Sequence, residues 1–585
     1  MHAGGRGEAA RAVQATVSRE TPGLPAKFRG DIKETSFFSA LKQLILIIRG
    51  GGYVKATRIS RSRSGLLSYH DTILIRCYSY PFDKPRALVL IINREQEQLE
   101  LRALLQEKTP QLALLYGRRR VGKTHLLTHV WPAEHTFHWT ASATTPVQNR
   151  EQLARDISKW SSEQLDPKDY PTWRTLFRLL LDLRAPQPLV IVLDEFQYLG
   201  EDQRELSGVA SELNAAWEQR RPPRSLVLVL AGSAVRVMEA LDAGGAPLHG
   251  RFSWKAELRP FNYWYTAEMA SFRSQRDRIR AYGVFGGTPR YLDVVRPARS
   301  LGDNAARLML SPRGEIRGLV ETAILQEQGL REVLKYQAIM RAIGGGCTEL
   351  NEIGQRSGLP SDTTLRDKIE RLIDLGYVWP SRNLGAGATV PFRYLIADPA
   401  FAFYYEFVGP NEAALERTDP AYLWQHVIAP RLDTYLGRIF ERVAEQAYAW
   451  LQPRLRLPVV REWARWEGRD RDGKSLEIDI AATLADGRVL TGAVKWNAQP
   501  LEARWHFHHL EALERLASSV VRWAHLAKHE DAPLLFLAAG GFTKEFVHAA
   551  RASRQNVYLW SLADIFRPPA RARRQSRVRR APRTR

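Results

Sequence analysis

The stretch Gly117-Arg118-Arg119-Arg120-Val121-Gly122-Lys123-Thr124 constrains this 585-residue chain more than any other. A GxxxxGK[ST] segment has chemical meaning only between a strand and a helix, and both neighbours are present. The apolar run Leu112–Tyr116 ends at Gly117, and Leu126, Leu127 and Val130 follow Lys123 at helical spacing. The glycines let backbone N–H groups close around phosphates, and the new helix turns its positive end toward them. In that setting Lys123 reaches the β/γ-phosphates and the Thr124 hydroxyl coordinates Mg²⁺. The expected ligand is a nucleoside triphosphate, ATP with Mg²⁺.

Such a loop needs an acid downstream. Leu189–Leu193 is wholly apolar, as a strand buried on both faces should be, and runs into Asp194-Glu195. Asp194 is expected to hold the metal through water and Glu195 to polarise the attacking water. The next such run, Leu226–Ala231, ends in Gly232-Ser233, which makes Ser233 a candidate γ-phosphate sensor. The runs 111–116, 135–139, 189–193 and 226–231 alternate with amphipathic stretches such as 150–160 and 204–218. That alternation predicts an α/β fold, a parallel sheet covered by helices.

Composition adds compartment and partners. The formal net charge is +22, but residues 1–90 and the tail 567–585 each contribute +9, so the body between them is close to neutral. Nucleic acid is therefore expected at the basic ends or at a dedicated module, not over the whole surface. Two cysteines, Cys77 and Cys347, make no disulfide framework and suggest a reducing compartment. With no apolar run of membrane-spanning length and no secretory pattern, a cytoplasmic chain with no membrane partner is expected.

The chain divides into a basic, poorly ordered extension (1–86), a phosphate-loop core (87–260), a helical lid (261–328), a winged helix-turn-helix (329–398), a connector (399–420), a small α/β domain (421–566) and an Arg-rich tail (567–585). The winged helix rests on helices through Tyr336–Ile343, Leu350–Gln355 and Thr363–Leu375, followed by a hairpin from Tyr377-Val378 to Tyr394–Ile396. As a DNA reader it would use Thr364, Arg366, Lys368 and Arg371. The acids Asp362, Asp367, Glu370 and Asp374 on the same segment favour a packing or regulatory module instead.

Ile91–Glu95, the phosphate loop, Asp194–Leu199, Ala231–Ser233, Pro247–Arg251 and Phe285–Leu292 together resemble the archaeal-type ATPase family, within the AAA+ and STAND-related P-loop ATPases. The resemblance covers about residues 90–310. It implies that Ile92, Asn93 and Arg94 lie near the adenine and that Pro289, from Gly287-Thr288-Pro289, contacts nucleotide from the lid. With the loop itself and His125 they complete the expected nucleotide contacts. It also implies either a γ-phosphate role for Arg251, as finger or sensor, or a salt-bridged surface position.

In the last domain, Leu476–Ala481 and Leu490–Trp496 read as two strands joined at Asp486-Gly487. They offer Asp479 and Lys495 in a PD-(D/E)XK-like pattern, where two carboxylates hold a metal and the lysine orients water. The domain resembles the nuclease-like domain that accompanies these ATPases, and Glu441 matches its accessory acid. Ala493 stands where the second acid belongs, with Glu477 as a substitute or the domain retained only for binding and packing. His506, His508 and His509 are expected to be surface or partly buried side chains, not metal ligands. The reading is an ATP-hydrolysing switch with an inactive nuclease-like domain. Its alternatives are a Mg²⁺-dependent nuclease and a non-hydrolysing scaffold, and its partners a protein client and further copies of the chain.

Overall fold

The computed structural model describes residues 92–183, 188–220, 225–327, 330, 332–387, 390–516 and 521–567, with the backbone of three strands before them. Those strands, β1 (Arg49–Gly50), β2 (Tyr53–Arg61) and β3 (Leu67–Arg76), form an antiparallel sheet of their own. They lie within the stretch expected to be a poorly ordered extension. The remainder of that stretch, Cys77 and the tail from 568 onward fall outside the described residues.

The core sheet contains β4 (Gln111–Tyr116), β5 (Thr136–Thr140), β6 (Leu189–Asp194), β7 (Leu226–Gly232) and β8 (Trp254–Glu257). The order is β5-β6-β7-β4-β8, parallel throughout. Every residue of β6 and β7 is buried, which explains why both are continuous apolar runs without alternation. Alternate side chains of these strands supply two cores. One packs under helices Pro146–Ser161, Trp173–Leu181 and Gln203–Glu218. The other packs under helices Glu95–Leu104 and Lys123–His129. Because β7 lies between β4 and β6, its carboxyl end at Gly232-Ser233 stands between the phosphate loop and the Asp194-Glu195 pair.

The rest of the chain is organised differently. The stretch expected to be a lid begins with helices Tyr263–Ala270 and Gln275–Phe285. In the stretch expected to be a winged helix-turn-helix lie three helices, Val333–Gly344, Leu350–Ser357 and Thr363–Asp374, and an antiparallel pair, β9 (Val378–Ser381) and β10 (Arg393–Ile396). A 27-residue helix, Ala429–Leu455, then precedes β11 (Val460–Arg469), β12 (Ser475–Leu484), β13 (Val489–Lys495), β14 (Leu534–Ala538) and β15 (Val557–Ser561). These strands pair in sequence order, antiparallel through β13 and parallel beyond it.

One hydrophobic core runs from Phe261 in the lid to Phe566 at the end of β15's trailing helix, through the winged helix and the connector. Segments drawn as four units in the sequence thus share one interior. Tyr435 of the long helix donates to the carbonyl of Gly283 in the lid at 2.7 Å and to that of Pro399 at 3.0 Å. Tyr263 donates to the carbonyl of Ile565 at 2.8 Å, and Trp264 lies against Trp450 and Phe566. No described helix is long and apolar enough to cross a membrane.

Candidate nucleotide-binding site

The loop after β4 has the backbone its glycines dictate. Gly117 sits at φ +148, and a Cβ there would run into the carbonyl of Leu258, whose N–H binds Tyr116 at 2.7 Å. Gly122, at φ +97, starts the helix Lys123–His129. Lys123 is 4% exposed and donates to the carbonyls of Gly117 at 2.7 Å and Arg118 at 3.2 Å. Burial pulls its ammonium pKa below the ordinary value, against the opposing pull of Glu195, Asp194 and Glu327. The lysine's hydrogen bonds go to backbone carbonyls and not to a carboxylate.

The acids converge on the same edge. Thr124 donates to one oxygen of the fully buried Asp194 at 2.6 Å, while the other accepts the backbone N–H of Glu195 at 2.9 Å. A hydroxyl and a carboxylate in contact beside a phosphate loop are the oxygen donors a small hard cation selects, so the residues fit Mg²⁺. Glu195 has a left-handed backbone, φ 54, and its carboxylate accepts from Ser233 at 2.6 Å. Ser233 also accepts from Gln197 at 3.1 Å, and Gln197 donates to Glu195 in turn. His138 on β5 points at Asp194, with 3.9 Å between Nε2 and the carboxylate. Burial lowers its pKa, although Asp194 pulls the other way.

The three loop arginines leave the phosphate side and grip three different elements. Arg118 lies between the rings of Tyr377 and Phe401, 4.2 and 5.2 Å from their centroids. It donates to the carbonyl of Gly376 at 3.2 Å and pairs with Asp398 at 3.5 Å. Burial opposes its charge, but Tyr377, Asp398, Tyr291 and Glu327 outweigh that and push its pKa above the ordinary value. Arg119 donates to the Tyr198 hydroxyl. Arg120, at φ 71, donates to the Leu319 carbonyl and to Gln326, both at 2.9 Å. All three were expected as nucleotide contacts, which in such a loop run through backbone N–H groups; their side chains tie the loop to Gly376 and Asp398, to Tyr198 in the acid turn, and to Leu319 and Gln326.

The remaining expectations divide. Pro289 approaches the loop, 4.0 Å from where a Cβ of Gly122 would stand. Arg94 is buried and bonds the carbonyls of Val121 at 3.3 Å and Arg259 at 2.5 Å, so it braces the loop from behind. Ile92 packs against the lid core, and Asn93, at φ 61, accepts the backbone N–H of Arg94. His125 lies against the His129 ring on the helix surface. Arg251 is not brought to the loop. It pairs with Glu218 at 2.7 Å, two residues before Ser253 bonds Leu112 at the opposite end of β4. Sequence reasoning passed over Gln197, although its motif was in view, and over His138 and the Tyr377–Phe401–Asp398 socket, whose signal was one acid in an aromatic stretch.

Residues 91–295 match the family model described as an ATPase domain predominantly from Archaea. The chain carries an archaeal-type ATPase domain. A second match, residues 404–506, is to archaeal and bacterial proteins of unknown function. An uncharacterized protein of Methanocaldococcus jannaschii is 26% identical over 417 residues, 70% of this chain and 88% of its own. Among solved structures, the Walker-type ATPase of Pyrococcus abyssi is 22% identical, with 54% of this chain and 96% of that one covered at a TM-score of 0.39. The Aeropyrum pernix ORC2 protein in ADPNP-ADP complexes is 16% identical, with 57% and 98% covered at 0.37.

Away from the ATPase domain, two further sets of residues were expected to act. Of the four proposed DNA readers, Lys368 is tied to Glu332 at 2.9 Å under Tyr336. Arg371 is partly buried near Arg236, which itself pairs with Asp374. The helix Thr363–Asp374 thus turns two of the four expected readers, Lys368 and Arg371, inward and leaves Thr364 and Arg366 exposed. In the last domain Asp479 accepts from Lys495 at 2.7 Å and from the backbone N–H of Val494 at 2.8 Å. Glu441 faces them, and burial together with the Asp479 charge pushes its pKa up to about 7. Glu477 is engaged by Arg465, and Ala493 is buried in the core beside Phe536 on β14. His506 and His509 are more deeply buried than expected, and burial lowers the pKa of His509 to about 4. Only His508 of the three is exposed.

Proposed function

We propose that the chain is an ATP-hydrolysing switch in which the phosphate loop passes its state to the winged helix and C-terminal body. The observation that carries this reading is Arg118. A residue of the loop itself is buried between two aromatic rings of the adjoining body and paired there with a buried carboxylate. A shift of the loop cannot leave that socket unchanged, because interiors are bistable and not softly deformable. ATP is the substrate. Lys123 meets the β/γ-phosphates, and Thr124 and Asp194 hold Mg²⁺, which when bound offsets phosphate charge. Glu195 accepts a proton from the attacking water, and Ser233 adjoins the γ-phosphate.

The C-terminal domain is read as a nuclease-like fold kept for packing and partner binding. Nucleic acid binding is assigned to the basic ends and is expected to fall steeply with salt, as phosphate neutralisation requires. A protein client and self-association remain part of the proposal.

The test is ATP binding and phosphate release by the full chain and two variants. Glu195→Gln should keep ATP affinity and lose turnover by about 10²- to 10⁴-fold, the usual worth of a general base. Arg118→Ala should still bind ATP, but ATP should no longer alter proteolytic protection of residues 376–566. Equal turnover in the parent and Glu195→Gln would sink the hydrolytic assignment, and ATP-dependent protection that survives in Arg118→Ala would sink the switch.

A further inference from the structure

Gln197 is buried to 3% exposure beside the acid pair, and neither the phosphate loop nor the metal donors need it. It lies in the short turn Phe196–Leu199 that follows Glu195. Its amide nitrogen donates to the Glu195 carboxylate and, at 3.1 Å, to Ser233, which donates to the same carboxylate oxygen at 2.6 Å. Room for the amide comes from Gly232, since a Cβ there would run into the Gln197 amide oxygen and the Met238 thioether. That amide oxygen is buried with no protein partner among the described residues. A buried amide that keeps one end unsatisfied destabilises the fold. The chain nevertheless holds this one against the reacting carboxylate.

We propose that Gln197 is a positioning residue for Glu195, an inference that rests on the hydrolytic reading above. Its N–H and the Ser233 hydroxyl both bind one Glu195 oxygen, Oε2. The other, Oε1, is left to take the proton of the attacking water. The left-handed backbone of Glu195 sets the direction of the side chain, and Gln197 fixes its rotation. Groups that orient a reacting residue without touching substrate typically change activity by about 10- to 100-fold when removed.

Gln197→Met keeps the volume and removes the donor; Gln197→Ala removes both. In the full chain with Mg²⁺ and ATP, Gln197→Met should lower kcat by about 10-fold or more, within that range. KM and the affinity for a non-hydrolysable ATP analogue should stay at the parent values. Ser233→Ala combined with Gln197→Met should cost less than the product of the single effects, since both anchors hold one oxygen. A loss of analogue affinity parallel to the loss of kcat would make Gln197 a packing residue and overturn the proposal. Parent-like kcat in Gln197→Met from an active chain would overturn it while leaving hydrolysis intact. A parent that binds ATP and releases no phosphate would end the hydrolytic reading and this inference together, a result distinguishable from the first two.

Discussion

Two sites among the described residues set a strand carboxylate near a lysine, and they are wired in opposite ways. At the phosphate loop, Lys123 is bound by two backbone carbonyls, while Asp194 is bound by a hydroxyl and an N–H. The cation and the carboxylate stay separate, each with capacity for phosphate or metal. In the last domain Lys495 is bonded straight to Asp479. That pair neutralises itself, the neighbouring acid position is filled by Ala493, and Glu441 holds its proton up to about pH 7. The same residue types thus give a poised site in one place and a satisfied cluster in the other. What decides is the lysine's partner.

The sharpest way to break this contrast is to remove each lysine. Lys123→Ala should weaken ATP binding by about 100-fold, corresponding to roughly 3 kcal/mol for a desolvated charge-assisted contact. Lys495→Ala should leave ATP affinity where it was. Equilibrium titration of both variants with ATP would show whether the two lysines differ as their partners do.

A second test uses protons. The Glu441 carboxyl keeps its proton to about pH 7 in the folded chain and releases it near pH 4.3 when unfolded. Between those values the folded state binds more protons, so stability is greatest at the acid end and falls as pH rises through 7. Between pH 5 and pH 8 the change from this group should be about 3 kcal/mol. Urea midpoints measured at pH 5 and pH 8 should differ in the parent and converge in Glu441→Gln.

The smallest effect is expected from restoring the missing acid. Ala493→Glu should raise Mg²⁺ affinity of the last domain measurably and leave linear and single-stranded DNA intact, because Asp479 stays paired with Lys495. DNA cleavage by the parent that vanishes in Asp479→Ala would overturn the satisfied-cluster reading and implicate Glu441 or Glu477 as the second ligand.

Much of the poised site was legible because its chemistry depends on spacing along the chain. Gly117 to Thr124 and Asp194-Glu195 announce themselves through strand and helix signals on either side. Ser233 was legible for the same reason, as the end of an apolar strand. The roles of Arg118 and Arg120 were not, since a loop arginine looks the same whether it faces phosphate or an aromatic socket 258 residues away. Of the two readings left open for Arg251 the structure shows the salt-bridged one, with Glu218, and the choice was not legible because its place is set by how the neighbouring β8 pairs with β4. The shared core from Phe261 to Phe566 left no local trace either, because its contacts join helices hundreds of residues apart.

The bond from Tyr263 to Ile565 has a consequence for the order of events during synthesis. Its partners are separated by 302 residues, and Phe566 packs beside it on Trp264. While the ribosome is still elongating, the ATPase sheet can close its own two cores, but the lid's interior lacks its final wall until the last strand emerges. Translation at about 5–20 residues per second leaves that apolar surface open for tens of seconds. A premature stop between the helices that follow Phe261 and Ile565 should therefore yield aggregation instead of a shorter working protein.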